Sequence, residues 1–180
     1  MKISESKIKR MILYFASHTD PRLLGKTKLM KLFYFTDFRH VKKYLTPVTN
    51  DIYVNLEHGP IPSMIMNLVN AVENDVDESV LGDTISIVAR EGSNMSRVQA
   101  LRSFTEKDAE HFTKSELAVM DEVCEIFKEC TGKQIEDASH NESAWLKTKL
   151  GEFIPYTLGA GDSDSLVEKG DIETAFKIMQ

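Results

Sequence analysis

Ile8, Met11, Ile12, Phe15 and Ala16 recur at the i, i+3, i+4, i+7, i+8 spacing that puts one apolar face on an α-helix. Ser4 is placed to accept a bond from a free first-turn amide, and Ile3 and Ile8 stand at the two positions of a hydrophobic staple. The pattern ends near His18, before Asp20-Pro21. A second helix is predicted from a Thr27 cap to about Tyr44, with Pro47 in its exit loop. Leu29, Met30, Leu32, Phe33, Tyr34, Phe35, Phe38 and Val41 leave it little polar surface. A helix apolar nearly all round is packed on several sides, so this one is the expected centre of the fold.

The period then changes to two. Over Asp51–Glu57, Ile52, Val54 and Leu56 alternate with Tyr53, Asn55 and Glu57, as in a half-buried strand. Gly59-Pro-Ile-Pro62 predicts a turn, with Ser63 capping a third helix whose apolar face is Met64, Ile65, Leu68, Val69 and Val72. Glu73–Glu78 reads as a solvated loop. Thr84–Arg90 and Ser96–Leu101 predict a hairpin around a loop at Glu91–Met95. Thr113-Lys-Ser-Glu116 is a capping box opening a helix with Leu117, Met120, Val123, Cys124 and Phe127 inward, and Gly132 is its predicted stop. A short helix over Gln134–Ser139, another from Asn141 to Leu150, a flexible loop at Gly159–Ser165 and an Asp171-capped last helix complete the reading. The expected class is α+β and mainly helical: one domain over 1–180, built around a central buried helix with a small antiparallel sheet.

Composition narrows this little. A hydrophobic share of 42% places the chain among globular proteins. The net charge of -6 argues against a large phosphate-binding surface, although Lys7, Lys9, Arg10, Lys26, Lys28, Lys31, Arg39, Lys42 and Lys43 concentrate basic charge early in the chain. Cys124 and Cys130, six apart on a predicted helix, do not face each other for a disulfide. Unpaired thiols, the lack of a signal-type apolar segment and the lack of a long apolar run predict a cytoplasmic protein.

The candidate chemistry is sparse. His58 stands beside Glu57 at a strand end, and a carboxylate–imidazole pair with Tyr53 on the same face as Glu57 would suit base chemistry; a histidine before Gly-Pro more often steadies its own turn. His140 is placed to cap a helix start, with Trp145 anchoring that helix in the core or serving as a surface aromatic anchor. Lys28 and Lys31 share one face of the central helix, from which they would reach past the core to carboxylates or to a partner. No metal is expected: the five histidines are scattered, and Asp162-Ser-Asp164 lacks the glycine a calcium loop needs, since Val167 stands there. Gly159-Ala-Gly161 alone makes no phosphate cradle, and no nucleophile motif is present, so no cofactor is expected either.

Three segments in order carry a family resemblance. Lys28-Leu29-Met-Lys31-Leu32-Phe-Tyr34-Phe-Thr36 resembles the Lys-Leu-x-Lys-Leu-Leu-Tyr-Tyr-Ala helix of the Panacea, or SocA-like, antitoxin family. His58-Gly59-Pro60-Ile61 is similar to its His-Gly-Pro-Val turn, and Thr113–Trp145 to its capped helix followed by a histidine, here His140, and a tryptophan five residues on, here Trp145. The resemblance covers about 1–156, leaving 157–180 as a C-terminal extension; Phe35-Thr36 and Leu56-Glu57 depart from the usual pattern. It implies a helical, non-enzymatic domain of bacterial or phage origin that binds and neutralises a toxin protein, with a Clp-type protease as a further partner where the domain acts as an adaptor. Two other readings stand beside it: a nucleic-acid-linked regulator of its own operon, and an enzyme using Glu57 and His58.

Overall fold

The computed structural model describes residues 4–89 and 96–178. Along the chain these form α1 (Glu5–His18), α2 (Lys26–Tyr44), β1 (Tyr53–Leu56), β2 (Gly59–Pro62), α3 (Ser63–Asn74), β3 (Ile85–Ala89), β4 (Ser96–Ala100) and α4 (Glu106–Ala109). They continue with α5 (Lys114–Phe127), α6 (Gly132–His140), α7 (Ser143–Leu146), β5 (Phe153–Ile154), a 3₁₀ helix (Tyr156–Gly161) and α8 (Lys169–Ile178). The class is mainly helical α+β. Ser4 caps α1 as its sequence predicts, while Ile3 and the 91–95 loop lie outside the described residues.

α2 is the hub. Met30, Leu32, Phe33, Tyr34 and Phe38 are fully buried, and α1, α3, α5, α6, β2 and β4 all pack on it. Phe15 of α1 meets Phe33 edge-on, with ring centroids 5.1 Å apart. The helix starts one residue before Thr27, at a Gly25 N-cap without a side-chain bond, so Thr27 is no cap. It stops where Leu45 turns left-handed (φ 69°) and returns its amide to the Val41 carbonyl.

A buried carboxylate fixes the chain beyond α2. Asp37 accepts from the amides of Val48 and Thr49, each at 2.8 Å, from the Thr49 hydroxyl, and from Tyr53 Oη at 2.8 Å. This holds the post-helix loop against α2 and aims Tyr53 inward. The strand facing predicted from apolarity is therefore reversed. Tyr53 and Asn55 are buried, whereas Ile52 and Leu56 are exposed. Hydrogen bonding outweighs hydropathy here because a buried carboxylate left without donors is costly.

Gly59–Pro62 is a strand rather than a turn. It pairs antiparallel with β1 (Leu56↔Gly59 to Tyr53↔Pro62), leaving Glu57 and His58 as the two-residue tip. Sheet order β2-β1-β5 puts the two prolines on an edge, where missing amide donors are tolerated. Ser63 does not cap α3. The Asp51 carboxylate does so from across the loop, accepting from Met64 N at 3.1 Å and Ile65 N at 2.9 Å.

The second half follows the capping boxes. Thr113 and Glu116 open α5 as predicted, and Thr131 with Gln134 form a second box. Gly132 thus begins α6 instead of ending α5. α7 stops at Leu146, short of the predicted Leu150. Residues 159–165 form no free loop: Lys42 Nζ, with its side chain 1% exposed, meets Asp162 at 2.8 Å and Asp164 at 3.0 Å. Asp171 lies inside α8 and accepts from the Glu168 amide at 3.0 Å. β3 and β4 pair as expected, and neither Cys124 nor Cys130 is in a disulfide.

Candidate binding site at the hairpin tip

Lys31 is fully buried, yet its ammonium has one hydrogen-bond acceptor, the Pro60 carbonyl at 2.8 Å. The expected carboxylate partner is replaced by a backbone oxygen, because β2 passes directly over this part of α2. Burial pulls the amine down to about 7, with Glu136 opposing. Lys28 behaves alike at the other end of the motif. Its Nζ donates to the Lys128 carbonyl at 2.9 Å, at the C-terminus of α5, where a cation suits the helix dipole. Leu29 and Leu32 lie in the core. Tyr34 is buried against Phe38 and Tyr53, and its hydroxyl finds no partner among the described residues.

The tip then docks on α6. Gly59 takes φ +86°, and a Cβ there would come within 2.6 Å of Ser139 Oγ, 3.0 Å of Lys31 Cε and 3.1 Å of His140 Nε2. Only glycine meets both demands, the left-handed backbone and the close approach. His58 projects outward, 71% exposed, and its Nδ1 faces Glu136 Oε2 at 3.3 Å; the partner anticipated from sequence was Glu57. Tyr53, its other proposed companion, is committed to Asp37. The Tyr53–Glu57–His58 grouping is thus not assembled.

His140 ends α6 rather than opening a helix, and its ring stacks on Trp145 at 4.1 Å and 23°. Trp145 is half-buried, not a core anchor. The buried amide of Asn55 reaches the Trp145 carbonyl at 3.1 Å and the Thr148 carbonyl at 3.0 Å, tying β1 to α7. Burial lowers the His140 pKa, and Nε2 is buried without a partner among the described residues. Lys31, His58, Gly59, Pro60, His140 and Trp145 therefore share one junction, while Lys28, Leu29, Leu32 and Tyr34 hold the helix beneath it.

Sequence reasoning missed Glu136 and Ser139. The four-residue spacing of Glu136 and His140 on one helical face was available as a signal, but the contact with the hairpin spans the fold. The basic first quarter is also accounted for. Lys7, Lys9, Lys26, Arg39 and Lys43 all face carboxylates. Among the described residues no helix is long and apolar enough to cross a membrane.

The helical scaffold thus pins the hairpin against two helices, α2 through Lys31 and α6 through the close approach of Gly59 to Ser139 and His140. The chain belongs to the family described as antitoxin SocA-like, Panacea domain, whose model matches residues 29–146. No curated protein and no solved structure matches it significantly.

Proposed function

We propose that this domain is the antitoxin of a bacterial or phage toxin–antitoxin pair, acting in the cytoplasm as a non-enzymatic protein-binding module. It neutralises its toxin by direct binding, or presents the toxin to a Clp-type protease. The observation that carries this reading is the convergence of the hairpin and α6–α7 motifs on one junction. On its outward side His58 is 71% exposed, and the elements that meet there also carry exposed Leu56, at 42%, and Leu146, at 63%. Exposed apolar side chains on regular elements suit protein recognition, since little backbone freedom remains to be lost on binding.

The test is co-expression with the product of the neighbouring gene. That product should arrest growth alone, and this chain should restore growth and co-purify with it. Leu146→Asp with His58→Ala, both exposed, should abolish rescue while leaving the circular dichroism spectrum intact. A neighbour that is harmless and forms no complex would remove the basis for the proposal.

A further inference from the structure

Three side chains with metal-ligating atoms cluster on α6 where the hairpin tip rests on it, and His58 of the tip approaches one of them. The ligand atoms of Glu136, Asp137 and His140 all lie within 4.8 Å of one another. His58 brings its Nδ1 to 3.3 Å from Glu136 Oε2 from the other side. Sequence spacing did not reveal the group, because His58 is remote in the chain and joins α6 only through the hairpin.

Two further observations separate this cluster from an ordinary charged helix face. Nε2 of His140 is buried and has no hydrogen-bond partner among the described residues. An imidazole nitrogen in that state carries a cost that coordination would remove. The carboxylates also already hold a cation: Lys133 Nζ lies 3.2 Å from Glu136 and 2.8 Å from Asp137. The Lys133 side chain is 70% exposed, so it can swing into water with little loss.

We propose that His58, Glu136, Asp137 and His140 form a binding site for a divalent ion of the zinc class, which replaces the Lys133 ammonium. Two imidazoles with carboxylates and no thiolate suit Zn²⁺, Co²⁺ or Ni²⁺ better than the all-oxygen cations. The bound ion would join the hairpin tip to α6 and add its binding energy to the folded state.

The test uses the full chain, stripped with chelator and titrated with Zn²⁺ at about pH 7.5, since metal binding competes with protons for its ligands. Calorimetry should show about one ion per chain, the zinc should survive desalting, and it should raise the thermal midpoint. Co²⁺ should give the visible absorption of a low-coordinate site. His58→Ala, Glu136→Gln and His140→Ala should each weaken binding by at least about tenfold. His58 is exposed, so its variant reports even if His140→Ala fails to fold. Absence of bound zinc in the wild type at tenfold excess, or equal affinity in His58→Ala and Glu136→Gln, would overturn the assignment. This result is independent of toxin binding.

Discussion

Lys31 brings a charge to a place with one hydrogen-bond acceptor, and the consequence is a pH dependence with a definite sign. Burial lowers its pKa from 10.5 to about 7. Between those values the unfolded chain binds more protons than the folded one, so stability rises with pH across that window. Below about pH 7 the amine is charged in both states and the burial penalty is complete. Lys31→Met should remove this dependence. The difference in unfolding free energy, wild type minus variant, should climb by on the order of 4 kcal/mol between pH 7 and 10. Urea melts at several pH values measure it, and a flat difference would mean the amine is solvated. Gly59 is the neighbouring test. Alanine there must hold a left-handed backbone and displace Ser139, which should cost about 1–3 kcal/mol. The single tryptophan, Trp145, sits on the docking histidine, so its emission should shift along with the melt.

At the level of elements, α2 and two buried carboxylates, Asp37 and Asp51, decide the architecture. Phe33 is fully buried between α2 and α1, and Phe33→Ala should cost about 3–5 kcal/mol in a denaturant melt. Asp51→Ala should cost about 1–2 kcal/mol, because it frees two first-turn amides of α3. Both changes fall on positions of unequal legibility. α1 and α5 were readable because apolar spacing and local caps agree with their packing, and α2 by its apolar spacing alone. The buried face of β1 was not, since Tyr53 is aimed by Asp37 and Asn55 by α7, and neither partner is local in sequence. The same holds for α3, whose expected cap Ser63 is replaced by Asp51. Local grammar signals that a helix begins nearby, but only tertiary contact selects which oxygen accepts its amides.

On the scale of the molecule, the family match and the folded body differ in extent, and that difference makes a prediction. The matched region, 29–146, leaves out α1, which supplies Ile8, Met11, Ile12 and Phe15 to the core. It also leaves out β5, the third strand beside β1, and Tyr156, whose hydroxyl donates to the Asp51 carbonyl at 2.8 Å. The segment after the 3₁₀ helix matters too. Leu166 N donates to the Lys42 carbonyl at 2.9 Å, satisfying a last-turn oxygen of α2, while Asp162 and Asp164 share the Lys42 ammonium. Cutting at 146 therefore strips Lys42 of two carboxylates and leaves Glu142 as its remaining ion-pair partner. An incompletely compensated buried ammonium is strongly destabilising. A fragment of residues 29–146 should show no cooperative urea transition and should bind a hydrophobic dye, whereas the full chain should unfold in one step. Restoring α1 alone should not suffice, because the Lys42 and Tyr156 contacts would still be missing. A fragment of residues 29–146 that melts sharply would show that the tip junction is self-supporting and that the flanking segments serve another purpose.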